Sequence, residues 1–180
     1  MLTKNFYNIL AGLLRRREGK QYTVSVTDCK GNIQTTDSFF TSSVPFTLFG
    51  AISNGASWTD GSKHGIWRGT FFGTGTTPAT VDDIVLESPI TRTDITHASP
   101  GTPGLCVELN ADHMLISATH KVTNKSGQDI AITELGAYGN MFTSSDVPFM
   151  LDHTVLQDPI VIPAGQTVPI DYEIRFPYGK

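Results

Sequence analysis

Charge is scarce in this chain, and positive charge scarcer: of 180 residues, 17 are acidic and 13 basic, a net of −4. Binding of duplex DNA or RNA rests on clustered Lys and Arg that displace phosphate counterions. The one basic run, Arg15, Arg16 and Arg17, is too short for that, so nucleic acid is excluded as a main partner. No apolar run approaches the roughly 18 residues of a membrane-crossing helix, and no membrane partner is expected. Cysteine is nearly absent. Cys29 and Cys106 stand alone, without C-x-x-C spacing; a disulfide between them stays open, while two thiols in a reducing compartment fit the isolated spacing better.

Motifs that carry chemistry are missing as well. There is no G-x-S-x-G elbow, no H-E-x-x-H and no cysteine with the cues of a thiol protease. The five histidines show no ligand spacing, and His120, on an apolar strand face, reads as a hydrogen-bonded structural residue. Asp82 and Asp83 with Asp94 could bind a cation such as calcium, but acidic pairs in loops are mostly solvated. No catalytic residue, cofactor or metal is therefore expected, and the chain reads as a non-enzyme.

Glycine and proline are where the sequence has something to say. Residues 72–90, F-G-T-G-T-T-P-A-T-V-D-D-I-V-L-E-S-P-I, look at first like a phosphate cradle. A P-loop needs G-x-x-x-x-G-K-[ST], and no Lys follows; in the dinucleotide fingerprint Pro78 occupies the third glycine's place. The stretch instead bends the chain. Gly73 and Gly75 are expected to end a strand at positive φ, with Pro78 stiffening the exit. Thr80 and Asp83 could then cap one helical turn that carries Ile84, Val85 and Leu86 to the core.

At 39% hydrophobic residues, the chain is long enough for one domain that buries about 70% of its unfolded surface. Residues 1–19 predict an amphipathic helix or arm, with Phe6, Ile9, Leu10, Leu13 and Leu14 on one stripe, Thr3 as cap and Gly19 as stop. Arg15 to Arg17 sit where the helix dipole favours cations, and their place after the apolar residues argues against a signal peptide. The stripe either packs on its own domain or lies on a neighbouring subunit.

From residue 20 to 180 the periodicity is two. Residues 167–176, T-V-P-I-D-Y-E-I-R-F, put Val168, Ile170, Tyr172, Ile174 and Phe176 on one face, and Pro169 places the strand's start at a sheet edge. Residues 114–123 alternate similarly, and the turn N-K-S-G at 124–127 predicts a hairpin with 129–138. Further strands are expected at 21–27, 46–52, 66–73, 105–109, 149–155 and 159–162. The fold class is all-β, an antiparallel β-sandwich of jelly-roll type with a short N-terminal helix. The repeated F-T-S-S-V-P-F-T-L at 40–48 and F-T-S-S-D-V-P-F-M-L at 142–151 mark either two equivalent corners or one local solution used twice.

Glu134 is the most informative charge. Alternation from Ile130 and Ile132 points its carboxylate to the buried side, where an unpaired ion is costly. Either a bulge near Gly136 turns it outward, or a buried donor such as Arg92 satisfies it.

Three segments carry a resemblance. They are G-T-G-T-T-P-A-T-V-D-D-I-V-L-E-S-P-I, then H-K-V-T-N-K-S-G-Q-D-I-A-I-T-E-L-G-A-Y, then L-D-H-T-V-L-Q-D-P-I-V-I-P-A-G-Q-T-V-P-I-D-Y-E-I-R-F. Their order of glycine turn, "TN-sG" hairpin, "itE-GLy" strand and closing strands joined across Pro-x-Gly resembles structural proteins of tailed bacteriophage particles. The likeness covers about residues 71–176. It implies a virion protein of the tail, neck or capsid surface, assembled in the host cytoplasm, that works by contact with copies of itself (ring, trimer or higher) and with other virion proteins. Ala137 and the pair Asp152 and His153 depart from the pattern, which commonly has a larger apolar residue and "aR" there. Trp58, in a Gly- and Ser-rich loop, is a candidate interface anchor or sugar platform. A rival reading is a carbohydrate- or receptor-binding module that contacts a host surface glycan; a glycan hydrolase would need paired carboxylates in a cleft.

Overall fold

The computed structural model describes residues 1–16, 24–36, 69–90, 93–98, 106–142 and 146–177. Side chains at 12–16, 36, 97–98, 107, 140–142 and 146–147 lie outside that description. The expected strand at 46–52, the first of the two F-T-S-S copies, Trp58 and Arg92 fall outside it as well, as do the side chains of Leu13 and Leu14. The described chain is mostly antiparallel β, with one short N-terminal helix.

Helix α1 (Lys4–Arg16) forms where the apolar stripe predicts it. Phe6 and Ile9 are 3% and 2% exposed, in the same hydrophobic cluster as the strands, and Phe6 stacks on Phe176 with ring centroids 5.8 Å apart. These two residues are thus committed to the chain's own core and not to a neighbour's surface; Leu10 lies on the rim at 36% exposure. Thr3 does not cap the helix. Its hydroxyl donates to the carbonyls of Met150 (2.8 Å) and Leu151 (3.2 Å), tying the helix start to a strand. Asn5 adds a second tie: its amide donates to Thr27 and Met150 carbonyls and its oxygen accepts from the Thr27 amide.

The strands are β1 (Val24–Thr27), β2 (Ile33–Thr36), β3 (Gly69–Gly73), β4 (Ile95–Ala98), β5 (Cys106–Leu109), β6 (His113–Asn124), β7 (Ile130–Phe142), β8 (Asp146–Ile162) and β9 (Thr167–Pro177). β1 and β2 pair with each other; β3, β7 and β8 form a second sheet in that order. In the third, β6 pairs with β9 along its whole length, and β4 and β5 share its opposite edge end to end. Among the described residues β9 pairs only with β6, the edge position that Pro169 requires. The inward residues of the second sheet (Ile132, Leu135, Phe149) and the third (Ile116, Ile170, Tyr172) belong to one core cluster. Each such side chain contributes about 1.5–3 kcal/mol by leaving water.

β6 and β7 do not form the expected hairpin, because they belong to different sheets. The reason is Asn124, fully buried at the end of β6. Its side-chain amide donates to the Gln128 and Ile162 carbonyls, both at 2.8 Å, and its oxygen accepts from the Ser126 amide and hydroxyl. Its backbone bonds Gln166 and Gly165 in the β8–β9 turn. Two crossings between the sheets, 125–129 and 163–166, are therefore stitched together at one residue. Gly165 (φ 71°) makes the second crossing possible.

Candidate functional site

On the face of the second sheet away from the main core, Phe71, Gly73, Glu134, Gly136 and Tyr138 share one side by register, since Gly73 pairs with Glu134 and Phe71 with Gly136. The segment 74–90 lies over that face. It contributes Leu86 to a second, smaller core with Phe71, Tyr138 and Met150, against which Cys29 packs.

Glu134 holds the segment in place. It is 0% exposed, and its carboxylate takes four hydrogen bonds. Oε1 accepts from the amides of Gly75 (3.0 Å) and Ser88 (2.7 Å); Oε2 accepts from the Glu87 amide (3.0 Å) and faces His153 Nε2 at 3.1 Å. The other ring nitrogen of His153 meets Asp83 Oδ2 at 2.6 Å. Asp83 in turn accepts from the Thr80 amide and hydroxyl, both at 2.7 Å. The Leu86 amide donates to the Tyr138 hydroxyl at 2.7 Å.

Of the two alternatives for Glu134, the outward turn does not occur and the buried donors do. A register shift does lie between Ile132 and Glu134, where one residue of β7, Thr133, lies opposite four of β8, 156–159, yet the carboxylate stays inside. A second shift, between Ala137 and Tyr138, makes Leu151 an extra residue on β8. The donors are backbone amides and a histidine. Sequence reasoning missed His153, whose neighbour Asp152 points to the opposite face and accepts from Tyr172.

The glycines act differently from expectation. Positive φ among the described residues occurs at Gly31, Gly69 and Gly165, so neither Gly73 nor Gly75 needs it. What they supply is room: a Cβ on Gly73 would lie 2.2 Å from Glu134 Oε1, and one on Gly75 2.7 Å from the same atom. A Cβ on Gly136 would reach Leu86 at 2.9 Å. Thr80 and Asp83 do bond to each other, but they close a tight turn, with the Asp83 amide on the Thr80 carbonyl, and not a helical turn. Only Leu86 of the three apolar residues after it is fully buried, and Pro78 is exposed.

Electrostatics follows from this geometry. Burial pushes the Glu134 carboxyl up, but the His153 bond and the three amides outweigh it and hold the group below the ordinary carboxylate range. Asp83 is lowered likewise, against burial, by Thr80 and then His153. Burial disfavours the His153 cation, yet the bonds to Glu134 and Asp83 and their charges raise its pKa above the ordinary value. Burial, then the charge of Asp28, pushes the Cys29 thiol up to about 12.

These groups are spent on the chain itself. Asp82 pairs with Lys4, and among the described residues no cluster of three or more His, Cys, Asp or Glu could hold a metal ion. An open cleft of about 630 Å³ lies between Pro89, Ile90 and the 126–130 turn, with Asp94 and Asp129 on its walls. A smaller one of about 280 Å³, between the start of α1 and residues 81–84, reaches Asp83. Among the described residues no helix is long and apolar enough to cross a membrane. Compared with known protein families, curated proteins and solved structures, the chain matches none.

Proposed function

We propose that this chain is a structural protein of a tailed bacteriophage virion, a β-sandwich that works by assembling with copies of itself and with other particle proteins. One observation carries the reading. The three segments that bear the resemblance converge on a single lock: Glu134 of the second takes Gly75, Glu87 and Ser88 of the first and His153 of the third. A motif set scattered over a hundred residues thus corresponds to one tertiary device, as expected if the likeness is one of fold and not of local turns. The sandwich form is favoured by the shared core between the second and third sheets. With Phe6 and Ile9 used internally, contacts with neighbours fall to sheet edges and outer loops.

Sedimentation velocity on the full chain from about 1 to 100 μM tests the assembly part. A ring, trimer or higher oligomer that grows with concentration supports it, and a monomer at every concentration, with no partner among particle proteins, contradicts it.

A further inference from the structure

The imidazole of His153 faces an acceptor at each nitrogen, Asp83 Oδ2 at 2.6 Å and Glu134 Oε2 at 3.1 Å. A neutral imidazole has one N–H and can satisfy only one of two ionised carboxylates; the doubly protonated ring satisfies both. The three residues also come from three pieces of chain: Glu134 from β7, His153 from β8, Asp83 from the covering segment. We propose that they form a proton-keyed latch, in which the His153 imidazolium clamps residues 74–90 onto the sheet. Loss of that proton, or gain of protons by the carboxylates, frees the segment, uncovers Phe71, Tyr138 and Met150, and widens access to Cys29, which is partly exposed in the closed form.

The other charged groups around the latch have partners of their own. On the covering segment Glu87 accepts from the Thr76 and Thr77 amides, and Asp82 pairs with Lys4 of α1. On β8 Asp152 turns to the opposite face, where it meets Tyr172 and the Met1 amino group. On β7 the Tyr138 hydroxyl takes the Leu86 amide. The titration that matters is therefore that of Glu134, His153 and Asp83, and the cleft beside Asp83 gives water a route to it.

The sign follows from linkage. His153 is raised in the closed form, so its contribution is complete below the ordinary imidazole value of about 6.5 and is lost as pH climbs through the raised value. Glu134 and Asp83 are lowered, so theirs is present above the ordinary carboxylate values of about 4 and is lost as pH falls through the lowered ones. The latch is tightest between about pH 4.5 and 6.5.

Amide hydrogen exchange by NMR between pH 5 and 9, corrected for intrinsic rates, reads the latch in the unaltered protein. The amides of Gly75, Leu86, Glu87 and Ser88 should be less protected than a core amide such as Ala118, showing a separate local opening. Their protection should hold to about pH 6.5 and then fall by up to tenfold per pH unit. His153→Gln should remove the fall. Protection equal to that of Ala118 at every pH, no fall above pH 6.5, or the same fall in His153→Gln overturns the proposal. If that variant does not fold, thiol labelling of Cys29 in a Cys106→Ser background, corrected for the thiolate fraction, reads the same opening: faster labelling above pH 6.5 supports the latch, and an unchanged rate overturns it.

Discussion

Gly73 and Glu134 face each other across two paired strands, and each explains the other. The glycine is required because its missing Cβ is where the carboxylate sits; the carboxylate is tolerated because three amides and an imidazole converge on it. Glu134→Ala should cost about 3–5 kcal/mol in urea unfolding, since it leaves a buried cation and three amides without their acceptor. Gly73→Ala should cost about 1–3 kcal/mol by crowding. The double variant should lose clearly less than the sum, because the clash disappears with the side chain; simple additivity would contradict the pairing. The burial of Glu134 was legible in the sequence from the period-two pattern around it. Its partner was not, because His153 reaches it only through the register of β7 on β8, and bulges do not announce themselves in sequence. The glycines were legible as special but not for the right reason: close approach and positive φ select the same residue.

Elements show the same division. The helix was readable from its stripe, and burial of Phe6 and Ile9 decides what the stripe does. Phe6→Ala should cost about 3–5 kcal/mol, and removal of residues 1–16 should lower the unfolding midpoint before it alters any association. A truncated chain of unchanged stability would mean the helix packs elsewhere. The β6–β7 connection was misread, because N-K-S-G states only that the chain turns and not whether the flanking strands pair. What settles it is long-range: Asn124 reaches Ile162, 38 residues on. Asn124→Ala should cost about 1–3 kcal/mol for each buried group left unpaired. Protection of amides at 125–129 and 164–166 should fall together, and independent behaviour of the two turns would contradict the stitch. β2 and β4, four residues each, passed unnoticed because so short a strand offers barely one full alternation.

At the scale of the whole molecule, the polar groups best placed for chemistry hold the covering segment and the sheet crossings, while the outer strand faces carry exposed Thr, Asp, Glu and Arg. That division of labour suits the proposed role, a part that must keep its shape among neighbouring particle proteins. The all-β character was legible from turns and alternation, since both are local. Partners are not local, and sequence patterning alone offers them only through likeness. The proposed virion role is tested most directly by purifying tailed-phage particles from cultures that express this chain and reconstructing them. The account predicts that α1 and β1 to β9 fit symmetric density in the tail, neck or capsid surface, in several copies; particles purified to constant composition that contain no copy of the chain would contradict it.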